Sequence, residues 1–428
     1  MALPTRGLGR VPEGAAVKSL TMPSTTGVGA IREAALSRTP VSIGPRRTAS
    51  PHEYYRYPAR FSPALAAAVI KALTEPGDLV ADYFLGGGTT LVEARMAGRI
   101  GVGSDINALS TFVSRVKTRL YSAAELDVVA SWAEVAGAET EGHVAWPADE
   151  QALAYFRNFS DDVYTEQRRV LIAAHLALQN VNTPRAQDFA RCVLLRTAQW
   201  GMDMRSEVPE PGELRAAIVE DSRTMIEAAR AATAKYRAAD KLASSGSLPR
   251  ALVLHQGLPG VAGHFAISRY PQPRLVLTSP PYPGVYVNYH RWKLRGRLET
   301  PLPYFIAGQS DGHGLAHYTM AARSDRTQHT YFQRLRAAYA DVARMCGPQT
   351  WLVQVVGFSD LHDQLPRYLE TMTQAGLAEA IVDGLGTDDD GRLWRDVPGR
   401  RWWARAGDRA DVVQHTAREV VLFHRLAK

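Results

Sequence analysis

The chain has 428 residues, 46% of them hydrophobic, which is longer than a usual single domain and enough to bury a sizeable core. It contains no run of about 18 apolar residues and no signal-type N-terminal stretch, which argues against a membrane span and leads us to expect a soluble, cytoplasmic protein. A formal charge of +7 and a pI near 9.4 favour a polyanionic partner; the two cysteines, Cys192 and Cys346, lie far apart in apolar segments, give no metal-ligand spacing and read as buried thiols.

In chain order, residues 1–48 are rich in Gly, Pro, Ser and Thr without sustained periodicity, and a flexible arm is expected there. Residues 49–121 alternate strand and helix signals. From 122 to 248 the pattern changes to long Ala- and Arg-rich stretches at helical spacing, clearest over 167–202 and 213–241, which predicts a helical insertion suited to target recognition or partner docking. Within residues 249–428 short apolar runs return at 251–254, 275–277 and 351–356, and 420–424 reads as a terminal strand. Strands and helices alternating on both sides of an insertion predict an α/β fold with a Rossmann-like, doubly wound sheet whose halves are split in sequence.

The first half ends in a ligand-type loop. The apolar strand Leu79-Val80-Ala81-Asp82 runs into Tyr83-Phe84-Leu85-Gly86-Gly87-Gly88-Thr89-Thr90, and a helical pattern follows. Glycines at a strand-to-helix turn let backbone approach a ligand without Cβ collisions. A second strand then ends in Asp105-Ile106, and an acid at that tip can accept hydrogen bonds from both ribose hydroxyls of a nucleoside cofactor. The spacing is not the Gly-x-Gly-x-x-Gly of dinucleotide sites, and Phe84 is equally suited to an adenine face or to the core.

The most specific signal comes later. After Leu275-Val276-Leu277 stands Thr278-Ser279-Pro280-Pro281-Tyr282. An aryl amine is a poor nucleophile because its lone pair is delocalised, and acceptors that hold its N–H groups favour a pyramidal, reactive nitrogen. Ser279 offers its hydroxyl oxygen and Pro280 its carbonyl, on a loop that two prolines stiffen in advance. Tyr282 is the candidate stacking ring for a base swung out of its helix, with the ring expected to matter more than the hydroxyl.

Together these motifs resemble the amino-methyltransferase family of DNA modification enzymes, in which Asp-Pro-Phe-x-Gly-x-Gly-Thr-Thr precedes a loop of Asp, Asn or Ser followed by Pro-Pro-Tyr. The resemblance spans roughly residues 51–120 and 250–357 plus the terminal strand, and departs at Tyr83, where the family usually has Pro, and at Gly87. It implies a class I methyltransferase fold, S-adenosylmethionine as cofactor, and, from the Thr-Ser-Pro-Pro-Tyr form, the 4-amino group of cytosine in duplex DNA as target. It also implies a methionine-end wrap by the segment holding Tyr57, Arg60 and Phe61, and a cofactor contact by Gln256 where the family commonly has an acid. The candidate cofactor contacts are therefore Tyr57, Phe61, Asp82, Phe84, Gly86, Gly88, Thr89, Asp105, Ile106, Gln256 and Thr278, and the candidate catalytic set is Ser279, Pro280, Pro281 and Tyr282. No metal site is expected.

Cations interleaved with aromatics follow the catalytic loop, and Arg291, Lys293, Arg295 and Arg297 are the first candidates for phosphate contact, with Arg400 and Arg401 next. Arg392-Leu393-Trp394-Arg395 divides evenly between nucleic-acid contact and packing beneath the sheet. Adenine 6-amino methylation, RNA methylation, and a non-catalytic subunit of a modification or defence complex with partner subunits stay open as alternatives.

Overall fold

A computed structural model describes residues 18–20, 25–37, 50–57, 60–139, 153–160, 162–242, 248–284, 291–311, 318–321, 327–397 and 417–427. Its centre is a nine-stranded sheet built on β2 (Leu79–Asp82), β3 (Ile100–Asp105), β4 (Ala251–His255), β5 (Leu275–Thr278) and β8 (Trp351–Gly357), all mutually parallel. On the far side β11 (Ala417–Leu426) runs antiparallel to β8 and to β9 (Leu377–Val382), with β10 (Leu393–Val397) also paired to β11. The order is β1-β9-β11-β8-β5-β2-β3-β4, where β1 is Lys18–Leu20 beside β9. Short, fully buried, β-branched runs such as Leu275–Thr278 form central strands because both faces are covered. A parallel sheet with one antiparallel strand, β11, set between β8 and β9 is the Rossmann-like arrangement expected from the motifs.

Alternate residues of each strand serve the two faces. Leu79, Ala81, Val276, Leu352 and Leu422 pack with Tyr331, Leu335 and Tyr339 of the helix His329–Met345, while Val80, Leu275, Leu277, Val353 and Phe423 pack with Leu65, Val69 and Ile70 of the helix Pro63–Leu73. The arm expected over residues 1–48 is corrected in its described parts. Lys18–Leu20 is paired as a sheet edge, and Thr25–Leu36 is a helix whose Ile31 and Ala35 are buried against the Pro63–Leu73 helix. Its apolar stripe is only Val28, Ile31 and Ala35 among Gly and Thr, too sparse to stand out as a period.

The insertion is helical as expected, with long helices over Ala123–Gly137, Thr165–Leu176, Pro184–Met202 and Pro211–Leu242. Its core joins Phe112, Val113 and Val116 of the Ala108–Thr118 helix, the tyrosines Tyr54, Tyr55 and Tyr57, and Trp292, whose indole N–H donates to Tyr55 Oη at 3.0 Å. Cys192 lies in this core and Cys346 near the sheet, both as buried thiols.

One buried ion pair fastens the insertion to the N-terminal turn of the catalytic domain. Arg196 donates through Nε to Asp221 at 2.9 Å and through Nη1 to the Glu53 carbonyl at 2.8 Å, and Thr197 donates to the second Asp221 oxygen at 2.8 Å. Removing one partner of a buried pair is far costlier than replacing both. Asp221→Ala is therefore expected to destabilise the protein by about 3–5 kcal/mol in urea denaturation, and a loss under about 1 kcal/mol, as for an exposed pair, would contradict this role.

Candidate active site

The sheet order reverses between β2 and β5, so the carboxyl ends of these two neighbours open onto one crevice. Across it, Thr278 Oγ1 donates to Asp82 Oδ1 at 2.6 Å, and Thr90 Oγ1 donates to the Leu277 carbonyl at 3.1 Å. Burial pushes the Asp82 carboxyl up to about 6, against the pull of its hydrogen bonds from Thr278, Thr90 and the Phe84 N–H. The glycine loop and the Ser-Pro-Pro-Tyr loop are thus tied together at their roots.

The glycine loop is shaped for close approach. Gly86 and Gly88 have φ of +49° and +75°, and a Cβ at Gly88 would lie 2.5 Å from Ser114 Oγ. Gly88 caps the helix Thr89–Met96, whose first residue Thr89 is buried. Tyr57 lies over the loop, with its Cβ 2.9 Å from where a Gly87 side chain would start, and its phenol oxygen accepts from Ser110 Oγ at 2.9 Å.

Asp105 is half-buried at the tip of β3. Its two oxygens accept from Gly86 N and Asn107 N, each at 2.8 Å, while burial raises its carboxyl to about 6. The acid therefore staples the glycine loop to the tip of β3, a structural duty the motif does not reveal. Ile106 is beside it, and a Cβ on Gly257 would come within 3.0 Å of Ile106 Cδ1, so the tips of β3 and β4 close together there. Gln256 bonds its side-chain amide back to the Gly260 carbonyl at 2.9 Å. Phe84 is half-buried and tilted against Tyr339, 6.0 Å between ring centres, so it faces the core on at least one side. Phe61 is buried in the core with Leu65, Val80 and Leu277. A glycine cradle, a half-buried carboxylate at a strand tip and apolar Ile106 nearby fit the ribose and adenine of S-adenosylmethionine, the cofactor that the motifs imply.

Sequence reading missed the support beneath the loop. Ser110, Ser114 and Lys117 form a polar stripe on the Ala108–Thr118 helix, and Lys117 Nζ, 2% exposed, donates to the Gly87 carbonyl at 2.9 Å. The spacing of i, i+4 and i+7 was visible, but nothing in it named a ligand.

The chemical loop is held from several sides. Tyr331 Oη donates to the Pro281 carbonyl at 2.6 Å and Ser359 Oγ to the Pro283 carbonyl at 3.3 Å, while Pro280 is buried. Ser279 Oγ lies 3.0 Å from the Val355 carbonyl and 3.1 Å from Tyr282 Oη, which in turn donates to Glu419 at 3.0 Å. Tyr282 is only 7% exposed and its ring abuts Gly357, where a Cβ would be 3.0 Å away. Its hydroxyl, expected to be dispensable, is fully engaged.

Of the candidate phosphate contacts, Arg291 is paired with Asp311 through Nε at 2.9 Å. Lys293 is half-buried within β6 (Trp292–Leu294), and the turn that joins it to β7 (Leu298–Thr300) exposes Arg295 and Arg297. The hairpin is docked on the insertion: Lys293 N donates to Asp203 at 3.0 Å and Met204 N to the Lys293 carbonyl at 2.9 Å. Arg400 and Arg401 lie outside the described residues. For the 392–395 cluster the structure decides on packing. Arg392 is fully engaged by Glu379 at 2.8 and 3.0 Å, and Trp394 and Arg395 are buried. Among the described residues no cluster of His, Cys, Asp and Glu suits a metal, and no helix is long and apolar enough to cross a membrane.

Burial lowers the Lys117 ammonium from 10.5 to about 7, with the neighbouring Arg60 charge acting the same way. Between those two values the unfolded chain keeps a proton that the folded chain has lost, so this lysine makes stability rise with pH across that window. Lys117→Met is expected to flatten that rise in denaturant melts at stepped pH, and an identical slope in the two proteins would contradict the burial of this charge.

The DNA methylase model for N6 and N4 methyltransferases matches residues 39–110. The Type II methyltransferase M.MjaII of Methanocaldococcus jannaschii is 32% identical over 80 residues, 19% of this chain and 15% of that protein, so most of its length has no counterpart in the match. Two structures of the rRNA methyltransferase aviRa from Streptomyces viridochromogenes overlay with TM-scores of 0.28 and 0.32 at 11% and 10% identity, over 71% and 94% of this chain and 78% and 92% of theirs. Likeness that slight carries no argument. The block matched by the family model holds the helix Pro63–Leu73, the glycine loop and Asp105, so the similarity of this chain to N6 and N4 DNA methylases rests on the segment that carries the glycine loop.

Proposed function

We propose that the chain methylates an exocyclic amine of a base in duplex DNA, with S-adenosylmethionine as donor and the 4-amino group of cytosine as target. The observation that carries this reading is the Thr278–Asp82 hydrogen bond, which sets the Ser279 to Tyr282 loop directly beside the glycine loop. Asp105, Gly86, Gly88 and Ile106 would hold the cofactor, with Tyr57 and Lys117 fixing the loop's shape. When bound, S-adenosylmethionine supplies a methyl carbon activated by its sulfonium, and the thioether departs with the bond's electron pair.

Ser279 Oγ and the Pro280 carbonyl accept the two amine hydrogens and leave the nitrogen lone pair aimed at the methyl carbon. The surplus proton leaves the nitrogen for water after transfer, so no charged base is required at the loop. A base reaches this loop only when swung out of the duplex, and the insertion with its docked hairpin offers Arg295 and Arg297 to the flanking phosphates. Cytosine is favoured over adenine by Ser279 in first position, the form this loop shares with cytosine-type enzymes of the family it resembles.

Incubation with tritiated cofactor and mixed genomic DNA, followed by nucleoside analysis, should yield labelled 4-methylcytosine. Label in 6-methyladenine would overturn the choice of base, and no label would overturn the activity. Ser279→Ala should slow single-turnover transfer by about a hundred- to a thousandfold, the usual effect of one positioned hydrogen-bonding group in a dry site, with cofactor binding unchanged. Wild-type rates in that variant would remove Ser279 from the chemistry. Neutralising Arg295 and Arg297 together should flatten the logarithmic salt dependence of DNA binding by about 1–2 units; an unchanged slope would move the DNA to another face.

A further inference from the structure

We propose that Glu419 is a positioning residue that sets the direction of the hydrogen bonds at Ser279, keeping its hydroxyl oxygen an acceptor toward the target amine. The inference rests on the function proposed above. Glu419 stands on β11, remote in sequence from the catalytic loop, and is fully buried with Arg395 Nε 3.7 Å from its Oε2. Tyr282 Oη lies 3.0 Å from Glu419 Oε1, and Ser279 Oγ lies 3.1 Å from Tyr282 Oη and 3.0 Å from the Val355 carbonyl.

A phenol has one proton, and a carboxylate beside an arginine accepts and does not donate. The Tyr282 proton is therefore committed to Glu419, and the phenol oxygen can only accept from Ser279. The Val355 carbonyl also only accepts. Whichever of the two takes the serine proton, neither donates to Ser279, and both lone pairs of its oxygen stay directed to a substrate N–H. An amide in place of the carboxylate reverses this order: its NH2 donates to the phenol oxygen, and the phenol proton turns onto Ser279 and occupies an acceptor site that the amine needs.

The test is Glu419→Gln, which keeps size and removes charge. Single-turnover methyl transfer should fall by about 10- to 100-fold, as for a misaligned reacting group, with cofactor and DNA dissociation constants within about twofold of wild type. Adding Tyr282→Phe should restore the rate to that of Tyr282→Phe alone, because no phenol proton remains to turn inward. A purely structural glutamate predicts additivity instead, a double variant slower than Tyr282→Phe alone by the same factor that Glu419→Gln costs in the wild-type chain. That result, or Glu419→Gln at the wild-type rate, overturns the proposal.

If Glu419→Gln does not fold, the Tyr282 hydroxyl proton of the intact chain reads the same bond by NMR. Its nuclear Overhauser contacts should run to the Glu419 γ-protons, and contacts to the Ser279 β-protons in their place overturn the assignment. This readout needs no turnover. A wild-type chain that methylates no DNA would strike the proposed function, while the hydroxyl contacts still decide the hydrogen-bond direction.

Discussion

Two adjacent strand ends, those of β2 and β5, carry both halves of the site, and the buried hydrogen bond from Thr278 to Asp82 fixes their separation. In a doubly wound sheet this is the point at which the chain changes direction of winding, so loops from the two strands diverge and leave a crevice between them. A glycine loop on one side and a proline-stiffened loop on the other therefore meet by topology. The hydrogen bond sets how closely, and it does so with a buried acid, whose carboxyl that burial pushes up to about 6.

Most central strands were legible because they are short runs rich in Leu and Val bounded by Gly, Pro or Asp, and the loops were legible because glycine and proline mark backbone constraints directly. β9 and β10 were not read: Leu377–Val382 mixes Ala and Glu into its pattern, and Leu393–Val397 looks like a cationic surface motif although Arg392 and Arg395 face buried acids. A sequence shows that an arginine is present but not whether its counter-charge is elsewhere in the fold. The same limit applied to Arg291, whose partner Asp311 lies across a hairpin, and to Tyr282, whose partner Glu419 comes from β11, remote in sequence but two strands away in the sheet. Phe61 shows the converse. It adjoins a segment that resembles a cofactor wrap, yet its ring is drawn into the apolar layer beneath the sheet, where burial of an aromatic side chain is strongly favourable.

The insertion is not an appendage on a loop. Its core includes three tyrosines from the segment before β2 and a tryptophan from the segment after β5, so it bridges the two halves of the domain that it interrupts in sequence. The β6–β7 hairpin takes its orientation from the end of the Pro184–Met202 helix through Asp203, and whatever surface the hairpin presents is therefore set by the insertion.

The Ala108–Thr118 helix has two working faces. Ser110, Ser114 and Lys117 underlie the glycine loop, while Leu109, Phe112, Val113 and Val116 belong to the apolar core of the insertion. Local opening of this helix would have to break both sets of contacts together, because one rigid rod carries them. The segment that grips the glycine loop and the segment that grips the insertion thus form a single cooperative unit, and the central amides of this helix should share one opening free energy in hydrogen exchange, whichever face they lie on.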